Sequence, residues 1–148
     1  MTITQKSKYA LRATLELAVR FGQGPTSISE IARAQAIPAR FLEAILAQLK
    51  RAALVESRRG NEGGYVLART PDRISVGDVL RIVQNSLAGT GNGQRPQPGA
   101  PQAAESIFVP IWDTALRQAN AVYDATNFNT LVERYRSALG NGAPDYSI

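Results

Sequence analysis

Arg58 and Arg59 lead into Gly60-Asn61-Glu62-Gly63-Gly64, and an alternating apolar run, Tyr65-Val66-Leu67-Ala68, follows. Guanidinium groups present a planar fork of donors that matches phosphate and carboxylate oxygens. Gly63 and Gly64 permit the positive φ or tight backbone that a hairpin tip needs, and they leave no side chain between backbone and anion. Gly60 would serve the same end on entry to the turn. Taken alone, two exposed arginines beside a turn are ordinary surface. The charge of the whole chain gives them a setting. Net charge is +5 over 148 residues, with 17 Lys and Arg against 12 Asp and Glu. Residues 1–84 carry 13 basic and 7 acidic side chains, whereas residues 85–148 carry 4 and 5. A basic first half on a near-neutral second half suggests a polyanion-binding domain joined to a partner-binding segment.

The absent residue types narrow the chemistry further. The chain has no histidine and no cysteine. That removes disulfides, thiol redox switching, iron–sulfur ligation through Cys, and zinc sites built on Cys or His. It also removes the commonest general base and the Ser-His and Cys-His nucleophile pairs. The remaining carboxylates are scattered, with no spacing that suggests a catalytic pair, so neither an enzyme nor a cofactor is expected. No apolar run approaches the roughly 20 residues needed to span a bilayer. The opening MTITQKSKYA lacks the apolar core of a secretory signal, and the expected setting is the cytosol.

The elements that would position these groups follow from periodicity and caps. Gln5 to Phe21 reads as a helix, with Leu11, Leu15 and Ala18 on one stripe and Leu17 and Phe21 widening it. Gly22, Gly24 and Pro25 end it. Ser27-Ile28-Ser29-Glu30 matches a capping box and opens a short helix with Ile28, Ile31 and Ala32 inward. A break at Ala36-Ile37-Pro38 precedes a helix that starts at Pro38, with Phe41, Leu42, Ile45, Leu46 and Leu49 inward and Ala39, Arg40, Glu43, Ala44 and Ala47 outward. Two short helices joined by a tight turn suggest a helix-turn-helix. LVES and GYVLA then form a hairpin, and Ser75 or Asp72 caps a helix burying Val76, Val79, Leu80 and Val83. Asn85 to Glu105 is a Gly/Pro-rich stretch with too little apolar surface to fold. From Ser106, Phe108, Ile111, Trp112, Ala115, Leu116, Ala119, Val122 and Tyr123 recur in steps of three and four. That stripe must be covered by the first helix or by a second copy of the chain. A last short helix turns Leu131, Val132 and Tyr135 inward.

YALRATLELA, the Ser27 capping box, IPARFLEAILAQLKRAALVESRRGNEGGYVLAR and ISVGDVLRIV together resemble the bacterial Rrf-two-type winged-helix regulators. The resemblance covers residues 1–84 closely and 106–135 in outline; its specific part is Leu49 to Ala68, with a G-x-x-G-G-Y-x-L-A wing. It implies a fold that is mainly α with a small β-hairpin wing, a winged helix-turn-helix plus a long C-terminal dimerisation helix. The expected divisions are a DNA-binding domain at 1–84, a flexible loop at 85–105, dimerisation helices at 106–139 and a tail at 140–148. The resemblance also implies a homodimeric transcription regulator, most often a repressor, in which the C-terminal stripe pairs with the first helices around Leu11 and Leu15. Cluster-binding members place three cysteines between the winged domain and the dimer helix; this chain has none there. It is similar in that respect to the cluster-free cysteine-metabolism repressor, which takes its signal from bound cysteine synthase.

Under this reading the chemistry-bearing residues acquire roles. The helix beginning Pro38-Ala39-Arg40 would enter a major groove with Glu43 and Ala44 on the same face. Arg40 can pair with guanine and Glu43 can accept from cytosine N4, although the two could instead form an i, i+3 ion pair. Lys6, Lys8, Tyr9, Ser27 and Arg51 would contact phosphates of a pseudo-palindromic duplex. Arg58 and Arg59 would meet a narrow A·T-rich minor groove at a wing turned by Gly63 and Gly64. Asp145-Tyr146-Ser147-Ile148 resembles the acidic, aromatic, Ile-terminated tail by which serine acetyltransferase enters cysteine synthase, and makes that enzyme an expected partner. A winged protein-interaction adaptor, and a sensor with a ligand pocket between winged domain and dimer helix, are the alternatives.

Overall fold

The computed structural model describes residues 3–84, 99 and 101–140. Its elements are α1 (Gln5–Val19), α2 (Ile28–Gln35), α3 (Ala39–Arg51), β1 (Val55–Arg58), β2 (Gly64–Leu67), α4 (Val76–Gln84), α5 (Gln102–Ala125) and α6 (Phe128–Gly140), with a 3-10 turn at Pro71–Arg73 before α4. The fold is mostly helical with a two-stranded antiparallel hairpin. The strands pair Val55 with Leu67 and Arg58 with Gly64.

Helix α1 runs through the middle of the winged domain, packing on α2, α3, α4, α6 and β2. Its buried face is built from small residues, Ser7, Ala10, Ala13, Thr14 and Ala18, with Leu17. Small side chains let several elements approach one axis. Thr14 is kept satisfied there by donating its Oγ1–H to the Ala10 carbonyl at 2.8 Å. The expected stripe is therefore displaced: Leu11 and Leu15 lie half-buried at the margin, and Phe21 lies beyond the helix, exposed. Around α1 the core gathers Ile31, Leu42, Ile45, Leu46, Leu49, Leu54, Val55, Ile74, Val79 and Val83.

Both predicted caps form. Ser27 Oγ accepts from the Glu30 N–H at 3.2 Å while Glu30 Oε2 accepts from the Ser27 N–H at 3.0 Å. Ser75, rather than Asp72, starts α4, and it forms a second capping box with Asp78, both bonds 3.0 Å. Helix α3 starts at Ala39, with Pro38 as its N-cap rather than its first helical residue.

Two expectations at the C-terminal side are corrected. The first turn of α5 begins at Gln102, inside the stretch assigned to the loop, and leaves Pro110 in the helix interior. The last helix is longer than expected and starts at Phe128, which is fully buried in the winged core with Val132 beside it. Asn127 caps it, Oδ1 accepting from the Thr130 N–H at 2.9 Å. The bulk of the 85–105 loop and the Asp145–Ile148 tail lie outside the described residues.

Candidate nucleic-acid interface

The turn between α2 and α3 is held by an arginine. Arg12 on α1 donates from Nη2 to the Gln35 carbonyl at 2.7 Å, at the C-terminal end of α2 where uncapped carbonyls carry negative charge. Ala36 completes the turn with φ 53 and ψ 49, a left-handed conformation that costs an alanine about 1–2 kcal/mol. Arg12 also lies over the Tyr9 ring, 5.3 Å from its centroid.

Tyr9 in turn packs on Phe41, with ring centroids 6.2 Å apart. Here the sequence expectation is reversed. Phe41 was assigned to the inner face of α3, yet it is 46% exposed. Leu42, Ile45, Leu46 and Leu49 form the buried stripe; Phe41 stands roughly a quarter-turn from its centre, at the outer flank. The Arg40 guanidinium lies 4.8 Å from the Phe41 centroid, a cation–π arrangement. Among the described residues Arg40 makes no ion pair with Glu43, so the surface-pair alternative is not the arrangement adopted. Ala39, Arg40, Glu43 and Ala44 are all exposed. Tyr9, Arg40 and Phe41 thus form one stack at the start of α3. Phe41 belongs with the candidate residues, since an aromatic edge there can pack against a thymine methyl.

The wing is fastened to the helix-turn-helix through backbone. Thr26 N–H donates to the Tyr65 carbonyl at 3.0 Å, and Tyr65 N–H donates back to Thr26 at 2.8 Å. That pairing explains the glycines. A Cβ on Gly64 would overlap the Thr26 carbonyl, and one on Gly63 would come within 2.6 Å of the Arg58 carbonyl. The positive φ expected of this turn falls on Gly60 alone, at 126. Gly63 and Gly64 are required by crowding against protein backbone, not by handedness. Leu67 points inward as period two predicts, and Tyr65 is half-buried. Arg58 and Arg59 are exposed; Arg58 Nη2 lies 3.6 Å from Glu56 Oε2, a solvated pair worth little.

Ser27 sits next to the wing junction. Its oxygen already accepts in the cap, so what it offers a phosphate is its O–H. Lys6 and Lys8 are exposed on the first turns of α1, and Arg51 is exposed at the C-terminal end of α3. Among the described residues no side-chain hydrogen bond or ion pair joins these three to the Tyr9–Arg40–Phe41 stack or to the wing.

The second candidate surface is α5. None of its 24 residues is buried. Phe108, Ile111, Trp112, Ala115 and Val122 are exposed, while Leu116, Ala119 and Tyr123 are half-buried. Phe108 stacks on Trp112 with centroids 6.0 Å apart. Ile107 and Val109, which the stripe omitted, are also exposed and widen the apolar face toward the helix N-terminus. Two clefts, of about 400 and 230 Å³, lie beside the wing; none of their lining residues comes from α4 or α5, where a ligand pocket was the alternative.

Two short helices joined by a tight turn, a hairpin welded to them and a following helix make a winged helix-turn-helix, a DNA-binding class. A sequence profile of the Rrf2 family, described as iron-dependent transcriptional regulator, matches residues 3–134. The chain belongs to the Rrf2 family of transcription regulators, and its relatives are regulators rather than enzymes. It is 40% identical to the HTH-type transcriptional regulator CymR of Bacillus subtilis over 131 residues, 88% of this chain and 89% of that protein. It is 33% identical to the protein rrf2 of Nitratidesulfovibrio vulgaris over 138 residues, 93% and 89% of the two chains. The solved structure of CymR, the global cysteine regulator of B. subtilis, superposes with a TM-score of 0.74 at 30% identity, covering 90% of this chain and 98% of that one. That of T. potens IscR gives 0.73 at 30% identity, covering 93% and 90%.

The donor set does not fit an iron–sulfur cluster. Such clusters are held by thiolates, with imidazole as the usual substitute, and the chain contains neither. Among the described residues no group of three carboxylates is placed to hold an ion. No helix of the described residues is long and apolar enough to cross a membrane.

Proposed function

We propose that the chain is a homodimeric, cytoplasmic, sequence-specific repressor that works without a cluster. The observation that carries the dimer is α5, which buries none of its residues and leaves Phe108, Ile111, Trp112 and Val122 of its stripe exposed. An apolar stripe of this length on a soluble regulator is covered by a partner, and a second copy supplies the matching surface by symmetry. Leu11 and Leu15, half-buried at the margin of α1, extend that surface. In the dimer each α3 enters a major groove. Arg40, Glu43 and Phe41 face base edges, Arg58 and Arg59 enter the flanking minor groove, and Lys6, Lys8, Tyr9, Ser27 and Arg51 hold phosphates.

Likeness to CymR favours cysteine synthase as the partner that carries the signal, with Asp145–Ile148 as the segment that binds it. Selection of bound duplexes from a random pool, with and without cysteine synthase, tests both levels. The expected result is a pseudo-palindrome with half-sites one helical turn or a multiple apart, whose recovery changes when the enzyme is present. Recovery of no preferred sequence would contradict the DNA-reading assignment. Recovery unaffected by cysteine synthase, or by deletion of Ile148 in its presence, would remove that enzyme from the account.

A further inference from the structure

The C-terminal end of α5 is tied to the winged domain by a compact set of bonds that the stripe does not explain. The chain leaving α5 runs antiparallel to the segment entering α4, with Ser75 bridged to Asn127. Val76 N–H donates to the Thr126 carbonyl at 2.9 Å, and Phe128 N–H donates to the Ile74 carbonyl at 2.9 Å. Beside this bridge, Arg81 on α4 donates from Nη2 to Asp124 Oδ1 at 2.7 Å and to Asp78 Oδ1 at 3.2 Å. Asp78 is itself fixed by the Ser75 capping box. The Asp124 carboxylate lies where a Cβ on Gly77 would be, so that only glycine at 77 leaves room for the carboxylate in this position.

A helix of 24 residues is a lever about 36 Å long, and a rotation of about 10° at its anchored end displaces the far end by about 6 Å. We propose that the Asp124–Arg81 latch seated over Gly77 is a specificity-determining device: it fixes the direction in which α5 leaves the winged domain and so sets the spacing of the half-sites the dimer accepts. This rests on the dimeric DNA-binding reading. With α5 paired to its copy, its angle to α4 determines the separation and relative turn of the two α3 helices. Asp124, Arg81 and Gly77 touch no base in that arrangement; they act as positioning residues.

The test uses the full chain and duplexes carrying two copies of the selected half-site with the spacer varied one base pair at a time. Wild type is expected to favour one spacer sharply. Asp124→Ala removes the latch from α5. Gly77→Ala displaces it from α4, yet the new methyl meets only the Asp124 and Arg81 side chains and alanine is the better helix former, so the fold is retained. Both variants should remain dimers, keep the half-site sequence, and lose about five-fold or more of the preference for the favoured spacer over its neighbours, a coupling of ordinary size. Unchanged spacer preference in both variants, or affinity lowered equally for every spacer, would overturn the latch while leaving the dimeric reading intact. Wild type that selects no paired half-sites would overturn that reading itself.

Discussion

Phe128 and Trp112 are both large aromatic side chains on the C-terminal helices, yet Phe128 is fully buried and Trp112 is 58% exposed. The difference separates the two halves of the molecule. In the winged half, apolar side chains close around α1, and the segment carrying Phe128 returns to complete that core, with Arg136 donating to the Val19 carbonyl at the end of α1 at 3.3 Å. In α5 the apolar side chains face outward, and the helix touches its own protomer mainly at its last turns against α4. Apolar residues recur at helical spacing in both. What differs is the partner that covers the stripe, the same chain in one case and, in the proposed dimer, a second copy in the other.

Substitutions in the two regions should therefore fail in different ways. Phe128→Ala opens a void in the winged core and should cost about 3–5 kcal/mol in chemical denaturation. Trp112→Asp should leave the circular dichroism of the winged domain in place while sedimentation shows a 16.0 kDa species instead of twice that mass. Its affinity for a two-half-site duplex should fall by about a hundredfold or more through lost bivalency. A Trp112→Asp protein that still sediments as a dimer would break the comparison, since α5 would then not be the contact.

Arg58→Ala/Arg59→Ala should weaken binding to every sequence, most for sites with A·T-rich flanks, and reduce the log–log salt slope by about 3 to 4, since the dimer loses four arginines. Binding like that of wild type would mean that the wing does not touch DNA. A smaller effect belongs to the α4–α5 junction. Partial burial alone would raise the Asp78 carboxyl, but the Ser75 N–H and the Arg81 guanidinium outweigh it and hold the group below its ordinary value of 3.8. The hydrogen bond to Asp124 leads the causes that raise Arg81 in turn, against its own desolvation. A depressed carboxylate contributes stability that is fully present above its unfolded pKa and is lost as pH falls through the folded one. Asp78→Asn should accordingly flatten the loss of stability seen below about pH 4 in acid titration, with little change in that slope near neutrality. Ala36→Gly should raise stability by about 0.5–1 kcal/mol by relieving a left-handed alanine, with DNA affinity unchanged.

Much of the winged half was legible because its local signals agree with its packing. The Ser27–Glu30 box marks the start of α2, the polar interval between LVES and GYVLA marks the hairpin, and Leu42, Ile45, Leu46 and Leu49 mark the inner face of α3. Phe41 was misread because it lies at the edge of that stripe, where spacing alone does not decide between core and surface; its stacking on Tyr9 depends on a contact between helices distant in sequence. The inner face of α1 was only partly legible: Leu17 and Ala18 are buried as expected, but Ala10 and Ala13, not Leu11 and Leu15, occupy the crowded side. Phe128 was hidden in an Asn-rich turn, although Asn127 ahead of an apolar residue is a cap signal that could have placed it. Gly63 and Gly64 stood out as glycines, but the backbone they accommodate, Arg58 and Thr26, is brought there only by the folded wing. The Gly77–Asp124–Arg81 latch left no sequence signal at all, since its parts lie on two elements joined by a long connection.

The central claim is that this basic winged surface binds duplex DNA as a dimer through a set of phosphate contacts. The dependence of affinity on salt for the selected duplex, followed by fluorescence anisotropy, tests it most directly. With about six to eight phosphates neutralised by the pair of protomers, log affinity should fall against log salt with a slope of about −5 to −7. A flat response would contradict the claim, and would leave the basic face of residues 1–84 as solvated surface on an adaptor.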